Sequence, residues 1–136
     1  MIKNILESEV VGVKRVIVDI CNSLLTTSIV NALRNTGNFE VYSTKCGQAR
    51  KCNWTAADVA LLEAAYNPGF TINESLAKAA ELHQEMSQCK IILLCDETSA
   101  PELAKKIPEF KRDGLIDDFI YSSVSETYLL AMLEAM

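Results

Sequence analysis

The sequence predicts a doubly wound α/β domain of five βα units, with a parallel five-stranded sheet in the order 2-1-3-4-5. Three observations predict it. Short apolar runs recur at VKRVIVDI (13–20), ADVALLEAAY (57–66) and CKIILLCD (89–96), of a length and composition that suit strands buried on both faces. Stretches with apolar residues at helical spacing lie between and after them. Strand and helix alternating in this way require crossover connections, hence a parallel sheet with helices on both faces. The chain has 136 residues, 49% apolar and 23% charged. That is enough to bury one core, so residues 1–136 are read as one domain.

The elements follow in order. VKRVIVDI is the first strand. SLLTTSIVNALRNTG is a helix with Leu25, Ile29, Ala32 and Leu33 on one side, Asn22 or Ser23 as its N-cap and Gly37 as its stop. FEVYS (39–43) alternates, which marks a strand near a sheet edge. Residues 44–56 are polar and include the only tryptophan, Trp54; a weak second helix is expected there. ADVALLEAAY is the next buried strand, and NPGF is a turn by composition. TINESLAKAAELHQEM forms a helix with Ile72, Leu76, Ala79, Ala80 and Met86 inward and His83 at the border of that face. CKIILLCD is the following strand. SAPELAKKIPEFKRDG is a helix begun by Ser99, with Pro101 in its first turn and Leu103, Ile107 and Phe110 as its inner stripe. Pro108 is expected to interrupt or kink it. DDFIYSS is the last strand, and SETYLLAMLEAM closes the chain as a helix with Tyr128, Leu129, Met132 and Leu133 inward.

Charge and cysteine usage narrow the function classes. The net charge is −5, which argues against a nucleic-acid surface on this domain, since that needs clustered basic side chains. Lys105, Lys106, Lys111 and Arg112 form one local basic group, read as the solvated face of a helix. The first residues show no signal peptide and no run is long enough to span a bilayer, so a cytoplasmic protein away from membranes is expected. Cys21, Cys46, Cys52, Cys89 and Cys95 are irregularly spaced, with no CxxC and one histidine. They are read as reduced structural thiols, not as a zinc site.

In a doubly wound fold the site lies at the carboxyl ends of the strands. Those ends hold Asp19, Ile20 and Cys21; Glu63; Cys95 and Asp96; and Ser122 and Ser123. The pattern resembles the receiver domain of two-component response regulators, CheY-like and flavodoxin-like in fold, over nearly the whole chain. That family ends its first strand in two acids, and VIVDI retains Asp19 but has Ile20 in the second place. DVALLE matches the phosphoacceptor strand up to Glu63, which replaces the aspartate. Register after it is offset: Glu63 precedes Pro68 by five residues, so matching from the turn falls on Ala64 instead. Cys95 takes the place of a threonine or serine. DDFIYSS keeps the approach to the fifth strand's end, with Phe119 at the switch aromatic, but Ser122 and Ser123 replace the family's Lys-Pro pair.

The resemblance therefore implies a degenerate phosphoacceptor pocket at Asp19, Ile20, Glu63, Cys95 and Ser122. Magnesium needs several oxygen ligands, and electrostatic stabilisation carries most of phosphoryl transfer. Without the second acid, the hydroxyl and the lysine, no magnesium and no other cofactor is expected, and no conventional aspartyl phosphorylation. Glu63 is read first as a vestigial solvated carboxylate and second as a fixed surrogate of the activated state. Facing Asp19 without a cation, it is expected to repel it and raise at least one pKa.

The function implied is an atypical receiver, a pseudo-receiver, signalling in transcription regulation through a protein partner or a homodimer and catalysing nothing. In the family the fourth helix, fifth strand and fifth helix commonly make such contacts. LLAMLEAM carries no cap signal, which leaves room for a DNA-binding output domain past Met136. The alternative is a flavodoxin-like small-ligand or redox-sensing domain. DICNSLLTTS offers Asn22, Ser23, Thr26 and Thr27 but no glycine for a phosphate loop. Cys21 and Cys95 near the same strand ends would be the thiols of a redox pocket.

Overall fold

In a computed structural model of the chain, residues 13–43, 56–64 and 72–136 are described. Within them the order is β1 (Lys14–Asp19), α1 (Ser23–Thr36), β2 (Phe39–Ser43), β3 (Val59–Glu63), α2 (Ile72–Glu85), β4 (Lys90–Cys95), α3 (Pro101–Arg112), β5 (Asp118–Tyr121) and α4 (Glu126–Ala135). The five strands form one parallel sheet in the order β2-β1-β3-β4-β5. This is the flavodoxin-like α/β architecture expected from the alternation. The helix expected in 44–56, Trp54 and the NPGF turn lie outside the described residues.

Period-two alternation sorts the strand side chains into two cores. Ile17, Ala60, Leu62, Ile91, Leu93 and Cys95 join the buried cluster that includes Ala79 and Leu82 of α2 and Ala104 and Ile107 of α3. Val16, Val18, Val59, Leu61, Leu94 and Ile120 join the other, with Ile29 and Leu33 of α1 and Leu129 and Leu133 of α4. Each central strand is thus apolar on both faces. β2 has one buried residue, Phe39, as suits an edge.

Local signals explain the helix ends. Asn22 caps α1, its side chain accepting from the Leu25 amide at 3.1 Å, and Gly37 ends it at a φ of 74°, a left-handed conformation that suits glycine. Ser125 caps α4 by accepting from the Tyr128 amide at 3.1 Å. At the other end of α4, Lys14 Nζ donates to the carbonyls of Leu133 at 3.1 Å and Met136 at 2.7 Å. A cation there also complements the helix dipole.

Four sequence expectations change. Ser99 does not cap α3: the position belongs to Ala100, and the Ser99 hydroxyl donates instead to Asp96 at 2.7 Å. Pro108 does not interrupt α3, which runs from Pro101 through Arg112. Its missing N–H would have bonded the Ala104 carbonyl, and the Tyr121 hydroxyl donates to that carbonyl at 3.1 Å. Ala80 faces outward, while Ser75 is buried and donates to the Glu63 carbonyl at 2.8 Å. Tyr128, expected inward, is 57% exposed, because Leu129 and Leu133 take the buried stripe of α4.

Candidate functional site

The carboxyl ends of the strands bring the expected residues to one edge of the sheet. Asp19 closes β1, Glu63 closes β3 and Cys95 closes β4. Ser122 follows β5, its amide bonded to the Cys95 carbonyl at 2.9 Å. The same alternation that builds the cores then separates their side chains. Cys95 packs into the α2–α3 core, and Asp19, two residues after Ile17, falls on that side too. Ile20 packs into the α1–α4 core, and Glu63, two residues after Leu61, points the same way. Phe119 is half-buried in β5 and packs on the α2–α3 core, its ring centroid 5.6 Å from that of Tyr121. Of the five positions of the expected pocket, Glu63 and Ser122 line a common cleft, together with Asn22, Leu25, Leu94 and Asp96.

Glu63 is not a solvated carboxylate. It is only 6% exposed, and its Oε1 accepts from the Cys21 amide at 2.6 Å, at the mouth of α1. Its pKa lies above the ordinary glutamate value. Burial is the first cause; the amides of Cys21 and Asn22 oppose it, and the charges of Asp19 and Asp96 add smaller contributions. The expected rise is present, but desolvation outweighs repulsion by Asp19.

Two acids shape the loops beside Glu63. Asp96 accepts from the Thr98 amide and hydroxyl at 3.0 and 2.6 Å and from the Ser99 hydroxyl at 2.7 Å. Hydrogen bonds from those two side chains pull its pKa down to about 2. Glu97 accepts from the Ser122 hydroxyl at 3.2 Å and from the Ser123 hydroxyl. Bonds to the carboxylate, the Ser123 hydroxyl first, lower its pKa. The Glu97 clamp across the β4 and β5 ends was not foreseen from the sequence. A polar DET-S run after a buried strand signals a capped turn, but gives no sign of which distant hydroxyls it will meet.

The cysteines depart from the expectation of reduced thiols at one position. Cys21 is disulfide-bonded. Spacing along a chain does not reveal such proximity. Cys89 and Cys95 are buried free thiols. Burial first, and neighbouring acids second, push them up to about 12 and about 11. A thiol so poorly ionised is a weak nucleophile.

Among the described residues, no three histidine, cysteine, aspartate or glutamate side chains gather in a way that would hold a metal ion. No described helix is long and apolar enough to cross a membrane. Two further grooves flank β5 and α4, one of them lined by Phe119, Tyr121, Val124 and Tyr128 and the other by Asp118, Ala131, Met132 and Ala135.

No protein-family model and no curated protein matches the chain. Its fold recurs among solved structures. A CheY-like response regulator receiver domain from Methanospirillum hungatei aligns with a TM-score of 0.64 and 20% identity, over 90% of this chain and 92% of that one. RcsB from Salmonella enterica serovar Typhimurium, bound to a promoter in the presence of phosphomimetic beryllofluoride, aligns at 0.65 and 14% identity, over 90% of this chain and 59% of its own. A Rhodopirellula baltica protein described as an adenylate cyclase aligns at 0.68 and 16% identity, over 90% and 86%. At such identities the likeness establishes a shared receiver, CheY-like fold, and function must be argued from the site.

Proposed function

We propose that this receiver-fold chain, taken as one domain over residues 1–136, is an atypical signalling module. It acts in signal transduction and transcription regulation through protein contacts, as a non-enzyme of the cytoplasm, without magnesium and without conventional aspartyl phosphorylation. The observation that carries the reading is Glu63: buried, accepting from the Cys21 amide at 2.6 Å, and sharing its cleft with Asp96 and Ser122. Transfer of a phosphoryl group to a carboxylate depends on cations that neutralise the incoming oxygens. Here the neighbours are an acid and a hydroxyl, and Asp19 falls on the other face of the sheet.

The Cys21 and Asn22 amides also give the Glu63 charge a fixed set of donors. That arrangement supports a single standing conformation rather than a switched one. Output then rests on a docking face. The surface of α3, β5 and α4 carries the half-buried Phe119 and Tyr121 beside the exposed Tyr128, aromatic composition of the kind that anchors exchangeable interfaces. RcsB is named on promoter DNA, which fits a module placed upstream of transcription.

The test is a pair of amide NMR spectra of the chain, with and without magnesium and beryllofluoride. The spectra are expected to coincide. Saturable shifts at Glu63, Cys95 and Ser122 that need both additives would show a working phosphoryl site and overturn the proposal.

A further inference from the structure

Two cavities lie on the Glu63 side of the sheet, one of about 200 Å³ beside the start of α1 and one of about 210 Å³ between α1 and α4. They share Leu25, Leu94 and Ser122 as lining, so they adjoin and are taken together as one two-part cleft. Its two ends differ in chemistry. The inner end presents Glu63, Asp96 and Ser122. The outer end is floored by Ile29, Ile120 and Leu129, with the hydroxyls of Ser28 and Ser125 at its rim.

We propose that this cleft binds a small alkylammonium ligand, its ammonium head between Glu63, Asp96 and Ser122 and its hydrocarbon tail along Leu25, Ile29 and Leu129. Charge decides the head. Glu63 and Asp96 line the inner cavity and Glu126 the outer one, and no lysine or arginine among the described residues lines either. An anionic ligand would meet only like charge there. A bare divalent ion would need a cage of ligands that the described residues do not gather. An ammonium group has three donors. Glu63 and the Ser122 hydroxyl offer acceptors to it, while Asp96, whose oxygens already accept from Thr98 and Ser99, contributes its charge.

Apolar lining decides the tail. Burying a charged head alone in a protein wall is costly unless it is paired, whereas each buried methylene contributes about 0.8 kcal/mol. A ligand with both parts matches the two ends, which share the small Ser122 side chain as lining. Binding of this kind would also neutralise the buried Glu63 carboxylate, whose ionised form desolvation disfavours. The inference goes beyond the docking reading and does not depend on it, because the two cavities are there whether or not phosphoryl transfer is lost.

Titration of the whole chain with n-hexylammonium chloride, followed by amide NMR, tests the site. Saturable shifts are expected at Cys21, Leu25, Ser122 and Leu129. Neutral n-hexanol and ammonium chloride, each lacking one half of the ligand, should bind at least about tenfold more weakly. Ser122→Lys places a tethered ammonium where the two cavities adjoin and should abolish hexylammonium shifts in a folded spectrum. Glu63→Gln should weaken binding about tenfold or more. The proposal is overturned by absence of saturable shifts in the unaltered chain, by equal binding of n-hexanol, or by undiminished binding to folded Ser122→Lys. Should Glu63→Gln fail to fold, the hexanol comparison and Ser122→Lys still decide. Magnesium with beryllofluoride, tested separately, reports on the phosphoryl reading alone.

Discussion

Glu63 shows how one side chain changes character when its neighbours are counted. As the last residue of an apolar strand it reads as a charge that would escape to solvent, yet it is buried and bonded to the Cys21 amide. Burial raises its pKa above the usual 4.5, which fixes the sign of a pH effect. The protonated form contributes stability that is fully present below about 4.5 and is lost as pH rises through the raised folded-state value. Glu63→Gln keeps an acceptor for the Cys21 amide and removes the titration. Its thermal midpoint is expected to match the unaltered protein near pH 4 and to exceed it at pH 7. Parallel midpoint profiles for the two proteins across that range would refute the assignment. The thiols give a second residue-scale prediction. With burial pushing Cys89 and Cys95 to about 12 and about 11, neither should be alkylated by iodoacetamide at pH 8 in the native protein, and both should react in denaturant. Rapid native labelling of Cys95, mapped by mass spectrometry, would restore the redox-pocket alternative.

At the scale of elements, α3 contains its own test. A proline in mid-helix costs an i to i−4 hydrogen bond, and here the orphaned acceptor is the Ala104 carbonyl, on a buried residue. The Tyr121 hydroxyl of β5 meets it at 3.1 Å, so a strand repairs a defect in the helix packed against it. Tyr121→Phe should cost about 1 kcal/mol, the scale of a hydrogen bond lost from a buried acceptor. In a Pro108→Ala background the helix regains its own donor, and the same substitution should cost markedly less. Urea denaturation of the four proteins measures that coupling; purely additive losses would mean the two residues are unrelated. Helical faces show the same interplay. Spacing correctly put Leu103, Ile107 and Phe110 against the core, because an amphipathic stripe is unambiguous on a charged helix. It misplaced Tyr128 on α4, where residues on nearly every side are apolar and only contact with α1 and the sheet selects Leu129 and Leu133.

For the whole molecule, the first and last of the described elements are tied by one cation. Lys14, at the start of β1, donates to the carbonyls of Leu133 and Met136 at the end of α4, and Asn38 Nδ2 donates to Glu134 at 3.1 Å. Lys14→Met keeps the aliphatic stem but removes the donors and the charge facing the helix dipole. A loss of about 1 kcal/mol is expected, with faster amide exchange confined to the last turn of α4. Unchanged exchange at Leu133 and Glu134 would show that the tie has no mechanical role. Both the proposed docking face and the cleft border α4, so its anchoring bears on each.

Strand order, edge and central strands, and most helix stripes were legible from the sequence because they follow from periodicity and from the demand for crossovers, which are local properties of a chain. The sequence also placed Asp19, Glu63, Cys95 and Ser122 at strand ends, since apolar runs stop where they meet polar residues. Only tertiary structure decided which of them meet. Alternation across the sheet sends Cys95 into one core and turns Glu63 toward the other side, where a cleft beside the start of α1 is lined by Glu63, Asp96 and Ser122. The physical reason is that burial, hydrogen-bond donors and open volume are properties of packed neighbours. Chain position alone specifies none of them.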